Sequence, residues 1–229
     1  MLTTINNLDD LSYVLYNKSM NGLKNCIELS HTANELYSNI MSNENINLLN
    51  ERQKLENYNR EFQSYSIDAI VYFQAMIEAD LNKWVKKYNL SSESFSKKWE
   101  NVQKYFNIES DYFNEWDKVY KQYRITFLHA DEKKVENNIK KFNDLSIYEL
   151  YDSIKNGWFA YTEILYHSLE ENNIRKDNLE ENWKHNKINQ QIDDLKDSLY
   201  SFSQISEEIV FKILKELRNS NKNKEDDDE

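Results

Sequence analysis

The stretch that decides the fold runs from Ser66 to Tyr88 and reads SIDAIVYFQAMIEADLNKWVKKY. Apolar residues cover most of the circumference of a helix in its first three turns, and they return at helical spacing towards its end. A helix that is apolar nearly all round has to be buried among other elements. We therefore predict a central buried helix over residues 66–88, around which the rest of the chain packs.

The composition extends this prediction to the whole chain. The sequence has 229 residues, no proline and only two glycines, Gly22 and Gly157, so it lacks the residues that hairpins and tight turns need. Aromatic residues make up 14% of the chain, which suits a packed core despite the high charge. The sequence predicts an all-α fold, an up-down helical bundle with long N- and C-terminal flanking helices.

Apolar spacing and capping residues predict five further helices. They cover about residues 11–40, 92–105, 111–128, 146–172 and 188–217. Ser146 and Glu149 form a capping box at the start of the fourth of them. The last helix alternates apolar residues three and four apart, which suits pairing with the N-terminal helix or with a second protomer.

These elements divide the chain into four parts. An N-terminal helix with a polar connector over residues 51–60 occupies residues 1–61, and a helical core occupies residues 62–172. A long C-terminal helix follows over residues 173–220. Residues 221–229 are predicted to be an acidic disordered tail, because the last five residues are all acidic.

Several classes of protein are disfavoured. The single cysteine, Cys26, cannot form an internal disulfide, and the N-terminus does not resemble a signal peptide. No run of eighteen apolar residues is present, so no membrane partner is expected. We expect a cytoplasmic protein.

The distribution of charge bears on whether a nucleic acid is a ligand. The net charge is −11, which opposes phosphate binding, but residues 97–141 carry ten basic residues against eight acidic ones. This mildly basic segment is interpreted either as a solvated surface of mixed charge or as a surface that binds the phosphates of a nucleic acid.

The same segment contains Arg124 and His129, separated by Ile-Thr-Phe-Leu. An arginine in apolar surroundings needs an acceptor, and Glu78, in the apolar part of the central helix, needs a cation. We therefore predict that Glu78 pairs with Arg124. Five residues along a regular helix turn about 500°, so Arg124 and His129 converge if the helix ends between them or if the arginine reaches round.

Other candidate sites carry weaker signals. Three further histidines lie far apart and show no ligand spacing, so we expect no metal and no cofactor; they are His31, His167 and His185. Glu78 and Asp80 are two residues apart and so lie on different faces of a helix, which weakens a paired-carboxylate interpretation. Cys26 has no basic cluster near it and is interpreted as a small buried hydrophobe.

The apolar helix, the short helix after it and the helix that ends in R-x4-H resemble the HEPN superfamily of all-helical domains. The resemblance covers about residues 62–172 and implies a homodimer. In that family the arginine and histidine of two protomers form a metal-independent ribonuclease site, which here implies Arg124 and His129. The position after the arginine is commonly polar but is Ile125 here, and Thr126 is the candidate to replace that polar group.

The resemblance implies an endoribonuclease of bacterial defence or toxin type. It would leave 2′,3′-cyclic phosphate and 5′-hydroxyl ends on an RNA substrate, and an antitoxin or other protein would be a further partner. Two alternatives stay open: a catalytically silent HEPN-like module that binds RNA or a protein, which Ile125 favours, and a structural helical protein. Ile125 and Leu128 are apolar on a second side of the helix, which indicates either burial under another helix or a subunit interface.

Overall fold

A computed structural model of the chain describes residues 8–42, 47–91, 93–109, 111–128, 144–168, 192 and 202–226. Within these residues the elements are all helices, and no strand is present. The helices are α1 (Leu8–Ser42), α2 (Leu48–Lys87), α3 (Phe95–Phe106), α4 (Tyr112–Leu128), α5 (Ile147–Ser168) and α6 (Phe202–Asp226). The all-α prediction is confirmed.

The first two helices form a long antiparallel pair. Near the start of α1, the hydroxyl of Ser12 donates to Asp80 near the end of α2. Further along α1, Ser19 donates to the carbonyl of Ala69 at 2.7 Å. The two helices therefore run in opposite directions in close contact over most of their length.

The polar connector predicted over residues 51–60 is wrong, because these residues lie inside α2. Leu48, Leu55 and Phe62 are all buried and follow each other at intervals of seven residues. Such a repeat places a narrow stripe of apolar side chains against a single partner helix, while the other faces of the helix stay polar. The predicted boundary between residues 61 and 62 consequently falls within a continuous helix of 40 residues.

The central part of α2 is buried as predicted, and α4 and α5 pack around it. The ring of Phe73 on α2 meets the indole of Trp116 on α4 edge to face, with centroids 5.0 Å apart. Gly157 on α5 lies against both rings, since a Cβ there would come within 2.6 Å of Phe73 and 2.8 Å of Trp116. The three helices therefore meet at a point where only a glycine fits.

The start of α5 confirms the predicted capping box. The backbone N–H of Ser146 donates to the carboxylate of Glu149 at 2.9 Å, and the N–H of Glu149 donates to the hydroxyl of Ser146 at 3.2 Å. Residues 169–172, predicted as the end of this helix, lie outside the described residues.

The last helix, α6, packs on the α1–α2 pair. Phe202 contacts Phe62 of α2, with ring centroids 5.0 Å apart. Tyr37 of α1 donates to Glu208, and the ammonium of Lys212 donates to the carbonyl of Ile40. The predicted pairing of the final helix with the N-terminal helix is confirmed at Glu208 and Lys212, and α6 runs parallel to α1. Because α6 continues to Asp226, the prediction that the tail is disordered from residue 221 is wrong for residues 221–226. None of the described helices has an eighteen-residue window apolar enough to span a bilayer.

Candidate functional site

The residues predicted as catalytic belong to the end of α4. Arg124 and Thr126 lie on the α4 backbone, as the spacing predicted, and their side chains lie outside the described residues. His129 follows the last residue of α4 in sequence and also lies outside them. The structure therefore places the arginine in the last two turns of a helix. The described side chains nearest to it in sequence on α4, and their partners on α2, define its surroundings.

A polar cluster joins α4 to α2 just before this segment. The indole N–H of Trp116 donates to the side-chain carbonyl of Gln74 at 2.8 Å, and the amide N–H of Gln74 donates to the carboxylate of Glu78 at 3.0 Å. The hydroxyl of Tyr120 donates to the same oxygen of Glu78 at 3.1 Å. We call these four residues the Glu78 cluster.

The spacing along both helices explains why this cluster forms. Gln74 and Glu78 are one turn apart on α2, and Trp116 and Tyr120 are one turn apart on α4, so each helix brings two groups to one face. Glu78 therefore lies on α2 at its contact with α4, the helix that carries Arg124. The predicted pairing of Glu78 with Arg124 itself lies outside the described residues.

A second acid, Asp80, lies on a different side of α2, as its separation from Glu78 predicted. Its Oδ1 atom accepts from the hydroxyl of Ser12 at 2.7 Å and from the ammonium of Lys83 at 2.6 Å. Its Oδ2 atom accepts from the hydroxyl of Tyr161 at 2.7 Å. Three charge-assisted hydrogen bonds offset the cost of burying this carboxylate, and they tie α1, α2 and α5 together.

A cavity of about 650 Å³ opens above Asp80, between α1, α2 and α5. Trp84 of α2 and Tyr161 of α5 form part of its wall, with ring centroids 5.8 Å apart and an angle of 31° between planes. The lining residues are Ser12, Tyr13, Tyr16, Met76, Asp80, Lys83, Trp84, Lys87, Tyr161, Leu165 and Ser168.

Burial shifts the pKa of two side chains in this part of the fold. Burial raises the pKa of the Tyr16 phenol above its ordinary value of 10.0, and this ring lines the cavity. Burial also raises the pKa of the Cys26 thiol to about 12, and a hydrogen-bonding contact with Ser66 opposes that shift only in part. Cys26 is therefore a protonated, buried thiol, in agreement with its interpretation as a small hydrophobe.

The sequence interpretation missed Asp80 as an organising residue. A signal was nevertheless present, because Asp80 lies seven residues after Phe73 and four before Trp84, on the buried stripe of α2. An acid at a core position of a helix requires donors from neighbouring elements. The identity of those donors, Ser12 and Tyr161, depends on contacts 68 and 81 residues apart in sequence.

The described part of the chain thus holds two acid-centred clusters on different sides of α2. Glu78 faces α4, whereas Asp80 faces α1 and α5. Among the described residues, no three histidine, cysteine, aspartate or glutamate side chains come together as a set of metal ligands. Comparisons of the chain with protein families, with curated proteins and with solved structures find no match.

Proposed function

We propose that the chain is a cytoplasmic, metal-independent endoribonuclease of bacterial defence or toxin type, with a HEPN-like helical core. Its site consists of Arg124 and His129 from two protomers of a homodimer. The observation that supports the proposal is the position of Arg124 on α4, one turn beyond Tyr120, whose hydroxyl binds Glu78. Glu78 of α2 therefore lies at the contact with α4, and the backbone of α4 carries Arg124 one turn further along.

The roles that we propose for His129 and Arg124 follow from the chemistry of their side chains. A neutral imidazole of His129 removes the proton of a 2′-hydroxyl, whose oxygen then forms a bond to phosphorus. The bond from phosphorus to the 5′-oxygen breaks, and a protonated His129 of the other protomer supplies the proton that this oxygen needs. The products are a 2′,3′-cyclic phosphate and a 5′-hydroxyl, and no metal takes part.

Arg124 acts on the charge that develops in this step. Its guanidinium is always protonated, and its rigid fork fits two non-bridging phosphate oxygens at once. Glu78 supports the site by holding the α2–α4 contact through Tyr120 and Gln74. Thr126 supplies the hydroxyl that replaces the polar group commonly found next to the arginine. The excess of basic residues over residues 97–141 favours the approach of RNA.

The experiment compares purified wild-type protein with Arg124→Ala and His129→Ala on a mixed pool of RNAs. Each substitution is expected to lower cleavage at least about a hundredfold, because each removes a group that acts in the transition state. Arg60→Ala and His31→Ala, on α2 and α1, are the matched controls and should cleave as the wild type does. EDTA should leave the rate unchanged.

Two outcomes would contradict the nuclease proposal. One is a folded wild-type protein that leaves the whole RNA pool intact. The other is an Arg124→Ala variant that is destabilised by about 3–5 kcal/mol, the cost of breaking a buried ion pair, while His129→Ala cleaves normally. Thermal unfolding measured beside cleavage separates a loss of chemistry from a loss of fold.

A second candidate is a catalytically silent HEPN-like module, and Ile125 is the observation that favours it. An isoleucine beside the arginine offers no hydrogen bond to a phosphate or to the histidine. In this case the same surface of α4 binds RNA or a protein partner such as an antitoxin without cleaving. Filter binding of uncleaved RNA that is lost in Arg124→Ala would support this candidate over the nuclease.

A further inference from the structure

The cavity above Asp80 is built by side chains of three helices. Ser12 and Tyr16 face it from α1, Asp80 and Lys87 from α2, and Tyr161 from α5. Its volume of about 650 Å³ lies within the range of small-molecule sites, which is about 300–1,000 Å³. It is separate from the Glu78 cluster, because two residues along α2 turn the helix by about 200°.

The walls of this cavity suit a flat apolar group. Four of its lining residues carry aromatic rings, and Met76 and Leu165 add apolar surface. Tyr13, at 69% relative exposure, presents its ring at the mouth, whereas Trp84 is buried at 7%. Offset stacking between such rings and a planar ligand is favourable beyond the area it buries.

The charged groups of the cavity favour a single negative charge on the ligand. Among the described lining residues the charged ones are Lys83, Lys87 and Asp80, and together they carry one net positive charge. Both oxygens of Asp80 already accept hydrogen bonds from within the protein, and Lys83 forms an ion pair with it. The charges of Asp80 and Lys83 therefore compensate each other, and a ligand in the cavity meets the positive charge of Lys87.

We propose that this cavity binds a small aromatic carboxylate, with its ring between the tyrosine and tryptophan walls and its carboxylate towards Lys87. This binding site goes beyond the proposed ribonuclease activity and does not depend on it. The proposal rests on an aromatic, partly open cavity whose described lining residues carry one net positive charge.

Calorimetric titration of the full chain with three probes tests the proposal. 2-Naphthoate, 2-naphthamide and 2-naphthylmethylammonium share one ring system and differ in charge. The carboxylate is expected to bind about tenfold more tightly than the amide, and the ammonium more weakly than either. Equal binding of the three probes, tightest binding of the ammonium, or no saturable binding of the carboxylate would overturn the proposal.

Exposed lining residues allow variants that leave the fold intact. Lys87→Gln should lower the affinity for 2-naphthoate about fivefold to tenfold and leave that for the amide unchanged, whereas its neighbour Lys86→Gln should change neither. Tyr13→Ala should weaken the carboxylate and the amide alike, and Tyr105→Ala, on α3, is its control. Arg124→Ala should bind all three probes as the wild type does, which separates this site from the ribonuclease. Lys87→Gln binding like the wild type would contradict the proposed carboxylate position.

Discussion

The thiol of Cys26 shows how burial decides the chemistry of one side chain. It lies fully buried between α1 and α2, where it contacts the carbonyl of Phe62 and the hydroxyl of Ser66 at 3.5 and 3.4 Å. The Phe62 carbonyl accepts from the protonated thiol, and only the Ser66 hydroxyl favours the thiolate. Desolvation outweighs that contact, which is why the pKa of the thiol rises to about 12. The only cysteine of the chain is therefore a packing residue.

This shift predicts a pH dependence of stability. The folded-state pKa is raised, so the contribution of the thiol is fully present below its ordinary pKa of 9.0 and is lost as the pH rises from there towards 12. Between pH 8 and pH 10 the free energy of unfolding of the wild type should fall by about 1.4 kcal/mol more than that of Cys26→Ala. Urea unfolding at both pH values measures this difference, and parallel pH profiles of the two proteins would contradict it.

At the scale of elements, the two glycines mark close helix contacts. A Cβ at Gly22 would lie 2.8 Å from the backbone oxygen of Tyr65 and 2.9 Å from the backbone nitrogen of Ala69. Backbone atoms of a packed helix cannot move aside as the end of a side chain can, so α1 and α2 would have to separate. At Gly157 the obstacles are the rings of Phe73 and Trp116, which are themselves buried.

We predict that Gly22→Ala and Gly157→Ala each destabilise the protein by about 2 kcal/mol. Alanine gains about 1 kcal/mol over glycine in helix propensity, but overpacking at these close contacts costs about 3 kcal/mol. Asn21→Ala, at the exposed position beside Gly22, is the control and should be neutral or slightly stabilising. Free energies of unfolding from urea titrations decide the matter; a Gly22→Ala variant more stable than the wild type would refute the close contact.

The elements that the sequence predicted well are those with apolar residues three and four apart. In α4, Phe113, Trp116 and Tyr120 are all buried, as that spacing requires. The prediction of a connector over residues 51–60 is wrong because the buried residues in and around it, Leu48, Leu55 and Phe62, are seven residues apart. One apolar residue in seven does not indicate a helix from sequence alone, although it is enough to pack against a single partner helix.

The candidate sites were predictable to different degrees, for a related reason. Arg124 could be assigned to a helix because local spacing fixes helices, and α4 contains it. The separation of Glu78 and Asp80 onto different sides of α2 also followed from local geometry. The cavity above Asp80 could not be predicted, because Ser12 and Tyr161 reach it from helices distant in sequence.

At the scale of the whole molecule, we predict a homodimer in which the ends of two α4 helices approach each other. The apolar residues Ile125 and Leu128, beside the proposed catalytic arginine, motivate this arrangement. Ile125→Asp should shift the protein to a monomer and abolish RNA cleavage, whereas Leu49→Asp, at an exposed apolar position of α2, should change neither. Sedimentation equilibrium at tens of micromolar, roughly the range for modest interfaces, measures the state. A wild type that is a stable monomer there would exclude the dimeric site.

Because α1 and α2 are antiparallel, the resistance of the molecule to an applied force depends on the two points between which the force acts. Because Ser12 binds Asp80, the start of α1 and the last turns of α2 lie at the same end of the pair. Tension applied between these two points peels the helices apart one turn at a time and loads the Ser12–Asp80 bond first. Tension applied between the start of α1 and the start of α2 instead shears the whole interface at once. The same fold is therefore compliant along one line of force and stiff along another.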